Sequence, residues 1–192
     1  MKNNKGIIYI LIALGALFYF FANFQRIAIP GAVFDLLQQE LAVSAPYITA
    51  FGAIFMYLYA VNQLIIGVLV DRYGGLRVML TGGIILGIGA LLFPISTNLP
   101  LMYFSRVLVG VGGSCFYLSL IRELRECFSD KNFGIAISVM LCIGYCGGIA
   151  ANAPFVFMMK YMNWRTILVV LASIILLGVL LFIILSFKVK FP

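Results

Sequence analysis

The stretch GVLVDRYGGLR, Gly67 to Arg77, places one aspartate, two arginines and three glycines between two long uncharged runs. The chain around it is 64% apolar and only 10% charged, whereas soluble domains carry about 45–50% apolar and about 25% charged residues. Working outward from the cluster, uncharged or nearly uncharged runs cover 6–24, 47–70, 78–105, 107–121, 132–159 and 166–187. A helix needs about 20 mostly apolar residues to cross the hydrocarbon core of a bilayer. The run from Val78 is too long for one crossing, so Pro94 and the loop-like STNLP at 96–100 should divide it from the next helix, which then carries Arg106 inside it.

The expected fold is therefore an all-α integral membrane protein, a single membrane domain over 1–192. Its six transmembrane helices are predicted near 6–28, 46–70, 78–95, 99–122, 133–158 and 165–187. The first run follows Lys2 and Lys5 as in a signal peptide, but it exceeds the usual h-region and has no small-x-small cleavage site, so it is read as an uncleaved helix. Lys2, Lys5, Arg72, Arg77, Arg122, Arg125, Lys131, Lys188 and Lys190 fall on one side, against Arg26, Lys160 and Arg165 near the other. The positive-inside rule assigns the richer side, with both termini, to the cytoplasm of a cell (plasma or inner) membrane. Topology then accounts for the net charge of +7, and no contiguous basic face suggests nucleic acid.

Histidine is absent, which removes imidazole metal sites, Ser-His triads and histidine proton relays together. Cys115, Cys127, Cys142 and Cys146 have neither zinc spacing nor the pattern of a disulfide framework, and read as apolar filler. No cofactor or metal is implied.

Within the opening stretch, glycines suit a tight helix-to-helix turn, and Asp71 and Arg72 would sit where water and headgroups solvate them. The order Gly67, Leu69, Asp71, Arg72, Gly74, Arg77 resembles the signature loop of the major facilitator superfamily, with Leu76 standing where many members have a first basic residue. The resemblance implies that Gly67, Asp71, Arg72, Gly74 and Arg77 form a conformational-switch loop whose charges latch onto a partner bundle. RVLVGVGGS, Arg106 to Ser114, is similar to the family's fourth-helix pattern, in which such an arginine is associated with substrate or proton coupling. Arg106 lies about one and a half turns from the outer end of its helix, so it either faces a polar cavity or snorkels to the interface.

DRYGGLRV at 71–78 and MKYMNWRT at 159–166 align Arg72 with Lys160, Tyr73 with Tyr161 and Arg77 with Arg165. Three crossings separate the two copies, which places them on opposite faces of the membrane as two inverted three-helix repeats. The NWR of the second copy resembles a Gly-Trp-Arg of the family, with Asn163 in place of glycine. The likeness covers the whole chain but half of a twelve-helix family, so the expected partners are a missing C-terminal half or a second copy, the lipid bilayer, a small solute and a coupling ion.

The resemblance implies that the first and fourth helices line a central cavity and that the second and fifth face the other half. Tyr19, Asn23 and Arg26 recur at i, i+4 and i+7 on one face of the first helix; they line the cavity, or Asn23 and Arg26 merely mark the helix end. Asn62 and Gln63 at mid-depth of the second helix either bind solute or hydrogen-bond between helices. Tyr145 on the fifth helix, within the glycine-rich GYCGGIAANAPF, completes the candidate substrate contacts with Arg106. That segment lacks the glycine-proline spacing of the family's antiporters, which leaves uptake more open than drug export. The inferred activity is secondary transport by alternating access, of an anionic or zwitterionic solute. Membrane carboxylates being absent from this half, a proton carrier here is not expected. Two rivals stand: a non-transporting membrane subunit, and an intramembrane protease using Ser114, which would need a base that a chain without histidine lacks.

Overall fold

The computed structural model describes residues 4–188; Lys2, the Lys5 side chain and Lys190, all part of the charge count above, lie outside that description. Every regular element is a helix among the described residues: α1 Asn4–Ala28, α2 Phe34–Leu41, α3 Ala45–Tyr73, α4 Gly75–Ile95, α5 Leu99–Cys127, α6 Asp130–Ala150, α7 Ala153–Met158 and α8 Trp164–Ser186. Six segments are long and apolar enough to cross a membrane, with α6 and α7 together making the fifth.

Their ends follow from local chemistry. The side chain of Asn98 accepts from the Leu101 amide at 3.0 Å and starts α5, with Pro100 in the first turn where its missing N–H costs nothing. Asn163 does the same for α8, accepting from Arg165 N at 2.8 Å. Three differences from the sequence reading have physical reasons. The turn expected over Gly67–Arg77 shrinks to Gly74: α3 continues through Asp71 and Arg72 to Tyr73, and α4 begins at Gly75. Gly74 holds φ 86° and ψ 150°, backbone that only glycine adopts without strain, and this one residue reverses the chain. As expected, α4 runs to Ile95 with Pro94 in its last turn, and the break falls at residues 96–98 within the STNLP stretch. The fifth span is interrupted at residues 151–152. Asn152 leaves helical geometry (φ −100°, ψ −114°) because Pro154 two residues on cannot continue the hydrogen-bond ladder, and its Nδ2 donates to the carbonyl of Gly148 at 2.8 Å. Finally, the loop between the first two crossings contains α2, whose Leu37 is buried while Asp35, Leu36, Gln39 and Glu40 are exposed.

Gly74→Ala is expected to lower stability by about 1–3 kcal/mol through backbone strain alone, since a Cβ there would meet no atom within 4 Å. A thermal melt in detergent checks it; an unchanged midpoint would show that the turn relaxes freely.

The helices pack by backbone approach. A Cβ built on Gly112 would lie 2.5 Å from the amide nitrogen of Leu86, so α4 and α5 touch main chain to main chain, and Gly147 meets the carbonyl of Phe20 in the same way between α6 and α1. The contacts follow the exchange of the two triplets in part: α3 packs on α5 as α6 packs on α1, and α1 meets α5 and α4 meets α8, but α4 packs on α5 far more closely than α8 packs on α1. Phe18, from the middle of α1, stacks near Phe116 (5.7 Å) and Phe182 (6.3 Å) in the core.

Two polar clusters mark opposite ends of the bundle. At one, Arg165 pairs with Glu40 (Nη2–Oε1 2.8 Å), donates to the carbonyls of Pro94 (2.5 Å) and Ser96 (2.7 Å), and lies over the Trp164 ring at 4.5 Å. It thereby ties together α2, the α4–α5 turn and the start of α8. At the other, residues at the C-terminal end of α5 grip the α3–α4 turn, as described below. Asp71 and Lys160, the two halves of the internal echo, fall at these different ends and are both exposed.

Candidate functional site: a tyrosine cluster and a clamped switch turn

Helices α3 and α6 leave most of their membrane-length surface uncovered, whereas α1, α4 and α5 bury more than half of theirs. The polar groups of the uncovered side gather near mid-span. Tyr19 of α1 and Tyr117 of α5 have ring centroids 6.4 Å apart. Tyr59 of α3 stacks on Phe55 at 5.9 Å, lies beside Gln63, and is within electrostatic reach of Tyr19, Tyr117 and Arg26. Tyr145 of α6, 58% exposed, and Arg26 are within electrostatic reach of the Tyr19 hydroxyl. Gln63 donates from Nε2 to the carbonyl of Ser114 at 3.3 Å, bracing α3 against α5. Four helices thus contribute phenols to one polar cluster, with one amide and, in the last turn of α1, one guanidinium.

Of the candidate residues, Tyr19, Arg26, Gln63 and Tyr145 come together here. Asn23 does not join them: it is buried, and its Nδ2 donates to the carbonyl of Tyr19 on its own helix at 2.9 Å. Asn62 is half-buried, with an Nδ2 that has no hydrogen-bond partner among the described residues. Tyr59 and Tyr117 were not among the candidates. Tyr117 follows Arg106 by eleven residues, three helical turns, so the signal was one of face rather than of residue type.

Arg106 takes neither of the positions open to it from sequence. It is fully buried within the bundle, donating from Nε to the carbonyl of Phe51 (3.2 Å) and from Nη1 to that of Gln25 (3.1 Å). Its guanidinium lies over Phe55 at 5.2 Å and near Phe93 at 6.0 Å. No carboxylate neutralises it among the described residues, and Nη2 and both polar atoms of the Gln25 side chain lack partners. Such a charge is held by carbonyl dipoles and ring faces rather than by an ion pair. Ser114, the residue a protease would need, is buried and donates to its own helix at Val111 O, 2.7 Å away. Cys142 and Cys146 are exposed on α6 rather than filling the interior.

The switch turn is gripped by two consecutive residues of α5. Arg122 donates from Nη1 to the carbonyl of Val70 at the end of α3, and also pairs with Glu126 at 3.3 Å. Glu123, 6% exposed, accepts the Leu76 amide at 3.0 Å at the start of α4. A cation on a helix C-terminus and an anion on the next helix N-terminus each oppose the local end of the backbone dipole. The grip leaves Asp71 and Arg72 pointing outward, with Arg72 over the ring of Tyr73 at 5.2 Å. Of the expected switch residues, Gly67 lies inside α3 and is not part of the reversal, while Gly74 makes it.

The sequence pattern of the Major Facilitator Superfamily matches residues 11–191. The glucose transporter GlcP of Staphylococcus epidermidis is 29% identical over 189 residues, covering 92% of this chain and 39% of that protein. The probable sulfoacetate transporter SauU of Cupriavidus necator is 21% identical over 182 residues, covering 95% and 42% respectively. The 3-(3-hydroxy-phenyl)propionate transporter of Escherichia coli is 30% identical over 106 residues, 55% of this chain and 26% of that protein. The chain thus spans about two-fifths of the first two relatives. Six apolar helices, a chain reversal at Gly74 between Asp71 and Arg77, and a match over nearly the whole chain agree: this multi-pass membrane protein belongs to the major facilitator superfamily.

Proposed function

We propose that the chain forms one six-helix side of a secondary transporter that carries a small solute by alternating access, with the tyrosine cluster as its share of the solute site. One observation carries this reading: four helices bring phenols and Gln63 together within the membrane span, with Arg26 in the last turn of α1, next to the side that the bundle leaves uncovered. Polar groups facing hydrocarbon are costly, so that side favours a second six-helix unit across it, with the solute between. Relatives named for a sugar and for organic anions support a small-solute carrier. The richer basic end, with Arg72, Arg77, Arg122, Arg125 and Lys131, is assigned to the cytoplasm of the cell membrane. There Asp71 and Arg72, held outward by Arg122 and Glu123, latch against the other unit and hold the pair closed on that side. Arg106 serves as an internal fixed charge that sets the spacing of α1, α3 and α5, and the coupling ion, if it is a proton, is carried outside these helices.

The test is uptake of radiolabelled amino acids, organic acids and sugars by proteoliposomes holding the full-length protein. Saturable uptake of one class is expected, reduced about tenfold by Asp71→Asn, because losing a latch worth about 1.4 kcal/mol shifts the balance of states by that factor. Absence of saturable uptake, or full activity in Asp71→Asn, would contradict the proposal.

A further inference from the structure

Neither the tyrosine cluster nor the switch turn uses Cys142 and Cys146, two free cysteines that are both exposed on α6. Four residues apart on a helix, they stand one above the other on a single face, and their thiols are within hydrogen-bonding reach of each other. Glycines on the opposite side fix where that face points. A Cβ on Gly144 would meet the Tyr19 ring and one on Gly147 the Phe20 carbonyl, so the glycine side presses on α1 and the cysteine side turns away from it. The fifth crossing runs over Asp130–Met158, which puts the pair at its middle.

Chemistry and depth select what such a pair can hold. A disulfide within it is disfavoured, because on one helix the two Cα–Cβ bonds run side by side rather than converging; the thiols stay free. No third ligand joins them, since among the described residues no group of three or more His, Cys, Asp or Glu is placed to hold a metal, and a structural zinc needs four. Net charge at mid-span is costly. Copper(I) on two thiolates would keep one negative charge, whereas mercuric ion, or arsenic(III) carrying one organic group, makes a neutral adduct with them. We infer that Cys142 and Cys146 form a dithiol site for such a soft, thiophilic centre, the point at which mercury and arsenic compounds act on this protein. With phenylarsine oxide the step balances without redox change: each sulfur gives up its proton and bonds to arsenic, and the arsenic-bound oxygen leaves with both protons as water. The site belongs to α6 alone and stands whether or not the chain transports.

Tryptic cleavage after Lys131 and Lys160 releases residues 132–160, in which Cys142 and Cys146 are the only cysteines. Mass spectrometry of that peptide therefore reads the site in the full-length protein, whatever cysteines lie elsewhere. The protein in nanodiscs is treated with phenylarsine oxide, denatured, alkylated with iodoacetamide and digested. The peptide should carry a single phenylarsenic bridge and no alkyl group. The dithiol 2,3-dimercaptopropanol should remove the bridge, whereas 2-mercaptoethanol at equal thiol concentration should not. Cys142→Ala and Cys146→Ala should each weaken retention of the arsenical about 100-fold or more, because the second sulfur–arsenic bond then loses its intramolecular advantage. Both side chains are exposed, so both variants should keep the parent's thermal midpoint. A peptide alkylated at both cysteines, a peptide already oxidised to a disulfide before treatment, or equal retention by either single-cysteine variant would overturn the site.

Discussion

Arg106→Ala is expected to destabilise the protein by about 2–4 kcal/mol, whereas Arg106→Met stays within about 1 kcal/mol of the parent. The alanine variant removes the largest fully buried side chain and opens a cavity between α1, α3 and α5, a loss in the range of large-to-alanine core changes. It also abandons contacts with the Phe51 and Gln25 carbonyls and the Phe55 ring. Methionine refills much of the space. What it gives up in hydrogen bonds is offset by no longer burying a charge that has no acidic partner, a burial that costs several kcal/mol in its own right. Thermal midpoints of the two variants in one detergent make the comparison. If methionine were as damaging as alanine, the guanidinium's polar contacts rather than its bulk would hold the bundle together. Uptake by the folded methionine variant then asks a separate question, whether the charge itself is needed.

The second large effect lies at the α4–α5 contact. Gly112→Val is expected to cost about 3 kcal/mol, because the three nearest neighbours of a Cβ there are the Leu86 nitrogen at 2.5 Å, the Gly82 oxygen at 2.7 Å and the Leu86 Cα at 2.9 Å. All three are backbone and cannot rotate away, so the whole of α4 must move. Gly67→Ala supplies the contrast. Its Cβ would meet only Leu118 Cδ1, at 3.8 Å, an ordinary contact, and alanine favours the helix by about 0.5–1 kcal/mol. A melt showing equal losses for both would mean that α4 and α5 do not pack as tightly as described.

These two sites show what the sequence could and could not reveal. Six crossings were legible because a bilayer demands long apolar runs, and such runs are countable residue by residue. The Gly67–Arg77 cluster revealed a helix reversal but not its size. Whether α3 ends at Val70 or Tyr73 depends on Arg122 and Glu123, which belong to a helix two elements away and supply the capping contacts. Likewise the interruption at Asn152 was announced by Pro154 but placed by Asn152 bonding to Gly148. Arg106 stood between cavity and interface on sequence grounds, since depth along a helix gives no azimuth; neighbouring helices decided it, by offering carbonyls and rings. The tyrosine cluster was half legible. Tyr19, Arg26, Gln63 and Tyr145 could be chosen as polar residues in apolar helices. Tyr59 and Tyr117, in contrast, matter only because α3 and α5 bring them beside Tyr19, and no single-helix pattern records that meeting.

The central claim is that two triplets of helices run through the membrane in opposite senses, so that Arg72 and Lys160 mark its two faces. Substituting each by cysteine in a background free of native cysteines, and labelling intact cells with a membrane-impermeant maleimide, tests it in one step. Lys160→Cys should react in intact cells and Arg72→Cys only after the membrane is permeabilised. Reaction of both from the same side would contradict the inverted arrangement and, with it, the solute pathway built upon it.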